Sequence, residues 1–539
     1  MNESTNAHKK KSKAKQLPEV IDVSWDLSEL PSSQHRAGLA GLVMMAEFWR
    51  GWPSKKGVCS VVRCDHKGAT LHVDSVGLQS LFDLTYAATT EEVLTKQAWA
   101  NTEPKRTTTV VVRSEGKKGV VEKEENRFVY DVVVPAGLLL QELEVGGEHE
   151  RPWLKLWRDF VWGVLRGIPA TRGPYKERAE GIQSDDGEKT FSTLASEPKS
   201  DAPLSSSLYL GAQDSNAEGV GFQDVAQQQV LLHFWTFVTR IYIPSALDKD
   251  GKSQFSGFAL AIPDVADLRA FVDDVRHDIK SRGSKLAGFR PAEAVIDLAA
   301  EAGVDVLARL EKRLESVEGG RDVNDLVVGV DVIHCEKEGN NIRTRSVLRI
   351  DPKLDLQDEY RRVKGQYWSP IFRRRRIANV LAGAPWWTGF ARTVETTRFD
   401  HIFDDKKFFC RDAREAFLEQ GTTEMTEQQQ KSIEQIVYAA TQAYVLGKVS
   451  SKHGLRWADI SADGVAKEEY GQKKSKVAKD AFLAVRSRSG ADFVSYFVST
   501  ICSVPQHMGQ DAYLRLSAEL MSAPEKIRTL TLLALSACG

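Results

Sequence analysis

Two hydrophobic periods alternate along this chain. The stretch "WDLSELPSSQHRAGLAGLVMMAEFW" opens with a turn at Leu30-Pro31-Ser32-Ser33 and continues as an apolar run of helical character. Gly38 and Gly41 inside it lower helix propensity, so something is expected to pack closely against the backbone there. The segment "TTTVVVRSEGKKGVVEKEENRFVYDVVV" has β-branched runs around a Gly-Lys-Lys-Gly turn and predicts a hairpin with Lys117 and Lys118 at its tip. Helical spacing returns with Trp153, Trp157, Val161 and Val164, and core packing is the simpler account of those tryptophans. Gly167, Pro169, Gly173 and Pro174 then force a loop that presents Arg166, Arg172 and Lys176 with little apolar company.

From Glu180 to Leu204 the chain is polar and without period, which predicts a long mobile loop or insertion. "DVAQQQVLLHFWTFVTRIYIP" is helix-like, further helices run through Arg321, and "LVVGVDVIHCEKEGNNIRTRSVLRI" predicts a hairpin turning at Gly339-Asn340-Asn341. After Met425 strand signals vanish, and helices are expected over Glu427–Val449, Lys473–Arg488, Ala491–Val504, Asp511–Ser522 and Glu525–Leu535. No internal repeat indicates a solenoid. The fold class that follows is α+β: a large mixed N-terminal domain with irregular β-hairpins, then an all-α C-terminal helical bundle. The expected divisions are a basic disordered tail over 1–20, the α+β domain over 21–400 with a mobile loop at 180–204, a linker over 401–424 and the bundle over 425–539.

Length and charge sharpen this picture. A chain of 539 residues exceeds one core, so two or three domains are expected. Its 73 lysines and arginines face 74 acidic residues, so any nucleic-acid surface must come from segregating charge rather than from excess. The six cysteines are dispersed, as reduced thiols of a cytoplasmic protein would be. The N-terminal Lys9, Lys10, Lys11, Lys13 and Lys15 make a basic arm with no apolar signal core, and no later run approaches the roughly 18 apolar residues of a membrane span. The expected protein is cytoplasmic and makes no membrane contact.

Candidate chemistry is sparse. Cys59, Cys64 and His66 could be three metal ligands, but no further ligand pair stands at the usual spacing. "DKDGKS" resembles the end of a phosphate-binding loop, yet Ala246 stands where that motif needs glycine and Asp248 and Asp250 would repel phosphate. His277-Asp278 is the dipeptide of metal-dependent hydrolases, within what reads as an amphipathic helix with a charged outer face. Neither a nucleophile elbow nor an HExxH pair occurs. No catalytic residue, metal or cofactor is assigned, and an enzyme is not expected. A metal-dependent HD-type nuclease using His277 and Asp278 stays as an alternative.

The basic-aromatic stretch "YRRVKGQYWSPIFRRRRIANVLAGAPWW" stands out instead. Arg361, Arg362, Lys364, Arg373, Arg374, Arg375 and Arg376 accompany Gln366, Tyr367 and Trp368. With Ile371 to Leu381 helical, Ile377, Val380 and Leu381 face the core, and successive arginines point around the cylinder at about 100° intervals. Some of them must reach along a groove or onto an anion, and arginine forks with aromatic rings suit phosphates and bases.

Several stretches in order, "LPSSQHRAGLAGL", "WGVLRGIPATRGPYKERA", "LYLGAQDSNAEG", "LLHFWTFVTRIYIP" and "VLAGAPWW", resemble the large subunit of type I CRISPR surveillance complexes (Cascade), in the subtype I-B, MYXAN-type branch. The resemblance spans Leu30 to the C-terminus. It implies a non-enzymatic subunit of a crRNA-guided complex that sits near the 5′ handle of the guide and reads a protospacer-adjacent motif (PAM) in target double-stranded DNA. Such a subunit helps part the strands and holds the displaced one. Implied partners are crRNA, the backbone, handle-binding and small subunits, and a helicase-nuclease or transposition proteins. In its light Arg166, Arg172 and Lys176, with Gln213 and Asn216, become candidates for reading DNA. Gln34, His35 and Arg36 match a family motif and either touch nucleic acid or cap a helix. In the bundle, Lys473, Lys474, Lys476, Lys479, Arg486 and Arg488 could track a single strand. Met425 would suit an internal start for a separately made small subunit. A purely structural crRNA-binding assembly protein is the remaining alternative.

Overall fold

The computed structural model describes residues 17–539 except 101, 117–118, 145–150, 167–171, 213–219, 249–252, 317–319, 340, 423–430, 461–463 and 504–507. Among the described residues the chain is α+β, with small sheets in the N-terminal part and no strand after Ile350. It divides into two compact units, one of Met1–Pro244 with Phe255–Pro352, the other of Ser245–Gln254 with Lys353–Gly539.

The first unit is organised by the helix Ser33–Arg50, whose N-terminus Ser32 caps by accepting the His35 amide. A Cβ on Gly38 would lie 2.3 Å from the Leu231 carbonyl oxygen, and one on Gly41 would lie 2.2 Å from that of Phe234. These two glycines therefore allow backbone to touch backbone, as their placement in the apolar run predicts. The segment pressed against them is not the single helix expected. It is one α-turn, Ala226–Gln229, then 3-10 turns Val230–His233 and Trp235–Phe237, then the strand Arg240–Leu247. Leu231, Phe234 and Trp235 are wholly buried, and a segment enclosed on all sides carries no periodic contrast from which to tell helix from strand.

Three larger sheets, beside two two-stranded pairs, hold most of the strands among the described residues. Val20–Asp26 and Cys59–Cys64 flank Gly68–Asp74. The expected long hairpin pairs Arg106–Gly116 with Gly119–Pro135, and Ala88–Thr95 adds to the far side of the latter. Arg240–Leu247, Phe258–Val265, Val327–Glu338 and Asn341–Ile350 follow one another across the largest sheet. The polar stretch 180–204, expected as a mobile loop, instead holds the helix Asp186–Ser196 and the strand Asp201–Pro203. Gln79 accepts the Gly187 and Glu188 amides at 2.8 and 3.1 Å, and Phe191 and Leu194 are buried. Two apolar residues one turn apart anchor this helix, too few to show as a period in a polar run.

In the second unit the last helix, Pro524–Cys538, is buried at every residue from Ile527 to Cys538. It packs against Phe409–Thr422, Ile433–His453 and Gly464–Arg486. The stretch 401–424, which the sequence suggests as a linker, holds the end of the helix Phe399–Phe403 and all of Phe409–Thr422. Met425 and the tail lysines lie outside the described residues.

Candidate nucleic-acid interface

The helix Pro152–Phe160 continues into a π-turn, Val161–Leu165, closed by the Arg166 amide donating to the Val161 carbonyl at 2.7 Å. Such wide turns are rare and are frequent at functional positions. The Arg172 side chain returns to this turn. Its Nε donates to the Arg166 carbonyl at 2.7 Å, its Nη2 donates to the Trp162 carbonyl at 3.3 Å, and its guanidinium lies 4.6 Å from the Trp162 ring centre. Both hydrogen-bond acceptors are neutral, and among the described residues no carboxylate pairs with Arg172. Burial pushes its pKa below the ordinary arginine value.

Behind this corner lies a polar network that the sequence does not announce. Arg166 is 5% exposed; its Nη2 donates to the Tyr86 hydroxyl at 3.3 Å, and its Nη1 has no hydrogen-bond partner among the described residues. With that oxygen accepting from Arg166, the Tyr86 O–H donates to His233 Nδ1 at 2.5 Å. Burial first, and then the Arg166 charge, push the His233 pKa down to about 3, so its imidazole stays neutral. The Tyr175 ring meets the Tyr86 ring edge-on at 5.0 Å. Arg178 engages Asp83 at 2.9 Å and Asp186 at 2.7 Å. Lys176 is exposed on the same short helix, with Glu177 and Glu180 close by in sequence. Arg166, expected in the loop, is turned inward, so any surface role falls to Arg172 and Lys176. Gln213, Asn216, Lys117 and Lys118 lie outside the described residues.

The arginine run forms the expected helix, here Pro370–Leu381, with Ser369 accepting the Phe372 amide. Its four arginines diverge as helical geometry requires. Arg376 is 2% exposed, with Glu359 at 3.6 Å and the Tyr367 and Trp386 ring centres at 5.8 and 6.0 Å. Arg375 donates to the Thr393 hydroxyl at 3.1 Å, Arg374 to the Ser245 carbonyl at 2.7 Å, and Arg373 to the Tyr367 carbonyl at 3.4 Å. Counter-charges arrive from Asp358 and Glu359, just upstream in the chain, and from the remote Glu419. Arg361 meets Asp358 at 3.1 Å and Arg362 meets Glu419 at 2.9 Å, while Lys364 donates to the Tyr360 hydroxyl at 2.7 Å. Tyr367 is 1% exposed and packs on Phe372, so it offers no stacking face; Trp368, at 55%, does.

The bundle cations divide likewise. Lys476 is exposed and Lys473 half-buried, whereas burial lowers the Lys474 pKa and Lys479 lies 5.7 Å from the Phe403 ring centre. Arg486 holds the Glu395 and Thr397 carbonyls, and Arg488 stacks on Tyr496 at 4.4 Å.

Other candidates resolve into structure. Gln34 clamps Leu210 through both backbone groups, each at 2.9 Å, His35 bridges Ser32 and Asp224, and Arg36 pairs with Asp264 at 2.6 Å. Asp278 receives Arg240 at 2.7 and 2.8 Å while the neighbouring His277 is exposed, so the two do not converge. Cys59 is buried, and burial pushes its thiol pKa up to about 12. Among the described residues no group of three or more His, Cys, Asp or Glu could hold a metal, and no helix is long and apolar enough to cross a membrane.

An α+β chain with a helical C-terminal part and an arginine held at a π-turn by neutral carbonyls suits a subunit of a nucleoprotein assembly. Residues 58–320 match the type I-B CRISPR Cas8b N-terminal domain, and residues 327–538 match the type I-B CRISPR Cas8b C-terminal domain. The chain belongs to this family and is a type I-B Cascade large subunit. A comparison with individually curated proteins gives no match.

Proposed function

We propose that this chain is the non-catalytic, cytoplasmic large subunit of a crRNA-guided Cascade that recognises a PAM in duplex DNA near the guide 5′ handle. It promotes strand separation and R-loop formation, holds the displaced strand, and supports recruitment of a helicase-nuclease or of transposition proteins. The guide heteroduplex is about as stable as the DNA it replaces, and each step opened costs about 1.4 kcal/mol of stacking, so local protein contacts tip the exchange. The observation that carries this reading is Arg172, a guanidinium stacked on Trp162 with only neutral carbonyls as acceptors. A phosphate or a guanine edge would supply the anionic or acceptor partner that the chain withholds. Lys176 adds a second cation beside it, and Lys473 and Lys476 offer phosphate contacts on the bundle.

The test is duplex binding by the reconstituted guide complex, wild type against Arg172→Ala with Lys176→Ala, across a salt series and with PAM-bearing and PAM-less DNA. We expect weaker binding, with the salt slope reduced by about one for each phosphate that the variant no longer neutralises. Loss confined to PAM-bearing duplex assigns Arg172 to base reading. Unchanged binding to both duplexes would remove this corner from the DNA interface and favour a purely structural, crRNA-binding role.

A further inference from the structure

The second unit carries an aromatic and cationic patch that the arginine run does not explain. Trp368 is 55% exposed, yet its backbone is held rigidly: the fully buried Asp412 accepts the Trp368 and Ser369 amides at 2.8 and 2.6 Å. The other Asp412 oxygen accepts from Arg411 at 2.8 Å, and this places the Arg411 guanidinium 4.2 Å from the Trp368 ring centre. Phe408 meets the same ring edge-on at 5.3 Å and is 37% exposed. Among the described residues Phe408 is the one non-glycine with positive φ, at 60°. A bulky residue is strained in that geometry, which glycine or asparagine would adopt readily, and strain of this kind concentrates at ligand sites. Lys406 and Lys407 are exposed in the preceding turn, where Asp404 caps the Lys406 amide and Asp405 is also exposed. Ordinary folding hides aromatic rings; here an anchored backbone and a strained one hold two of them toward solvent.

We propose that Trp368, Phe408 and Arg411 form a stacking site for an unpaired base of the displaced DNA strand. This rests on the reading above, in which the subunit holds that strand. An aromatic face backed by a guanidinium matches the π-face of any base, and only an unpaired, unstacked base has that face free. The polar groups directly beneath the Trp368 ring are engaged internally: Ser369 caps Phe372 and Asp412 is filled by two amides and Arg411. Little is left to recognise a ribose 2′-hydroxyl, which favours DNA over the guide. The site is therefore tolerant of sequence, and its cations contact the flanking phosphates.

The test uses the assembled guide complex with 2-aminopurine walked along the displaced strand of a bound target or, separately, along the guide RNA. Trp368→Ala, Phe408→Gly and the conservative Trp368→Phe are compared with wild type. We expect one displaced-strand position whose fluorescence is quenched in wild type, released by Trp368→Ala and by Phe408→Gly, and restored by Trp368→Phe. Single-stranded DNA affinity should fall roughly five- to hundredfold in Trp368→Ala, the range seen when one stacking ring is removed. No released position, or a signal that moves to the guide, overturns the proposal. Duplex binding that still responds to Arg172→Ala in the same preparations would show that the stacking site alone has failed, leaving the broader reading intact.

Discussion

His233 shows how a single buried side chain can report on this fold. Its ordinary pKa of 6.5 falls to about 3 in the folded chain, because burial opposes the charged imidazole and Arg166 adds a positive charge nearby. Between those values the unfolded histidine binds a proton that the folded one refuses. Unfolding therefore takes up a proton, and stability falls as pH drops from about 6.5 toward 3, by at most about 1.4 kcal/mol per pH unit. His233→Gln removes this dependence, so its stability deficit at pH 7 should narrow by pH 4.5 in urea titrations. A deficit constant with pH would mean that the imidazole is not held neutral. At this scale the sequence is only partly legible. The residue types of the binding corner can be named, since Arg172 and Lys176 follow from loop chemistry. That Arg166 turns inward onto Tyr86 and His233 cannot, because Tyr86 and His233 are remote from it in sequence and only tertiary packing joins them.

The elements are legible in proportion to their contrast. The tryptophan helix, the long hairpins and most C-terminal helices are foretold by their periods, although the helix expected from Lys473 begins at Gly464. The 230–245 stretch, with almost no wet face, reads falsely as a helix, and 186–196, with almost no dry face, reads falsely as a loop. The glycines of Ser33–Arg50 give the sharpest prediction at this scale. Gly41→Ala would place a methyl 2.2 Å from the Phe234 carbonyl oxygen. Overpacking of this kind costs about 1–3 kcal/mol, so the melting temperature should fall clearly. Gly471→Ala is the control, since a Cβ there meets nothing within 4 Å. That change should be neutral or stabilise by roughly 0.5–1 kcal/mol through helix propensity. A Gly41→Ala variant as stable as Gly471→Ala would show that the close backbone approach does not constrain Gly41.

For the whole molecule, the helical C-terminal part is more interdependent than the sequence implies. The Pro524–Cys538 helix packs against Phe409–Thr422, which precedes Met425. A product beginning at Met425 lacks that helix and bares part of an otherwise enclosed apolar face. We expect a 425–539 fragment to bind a hydrophobic dye and unfold without a sharp transition, whereas a fragment from Lys353 should melt cooperatively; matching cooperative melts would show that the bundle closes without Phe409–Thr422. A small subunit made from Met425 would accordingly need a partner to cover the bared face. By itself the sequence determined the α+β class, the period and approximate bounds of most elements, and the residue types able to meet nucleic acid, because each of these is set by neighbours within a few turns of chain. Tertiary structure alone decided which cations are free. Arg376 and Arg172 are the same side chain, and one is packed between rings while the other stacks on Trp162 beside neutral carbonyls. The partners named for each guanidinium lie within 17 residues of it, and that difference depends on how the folded backbone turns them toward the side chain, since charge and burial are properties of the assembled environment.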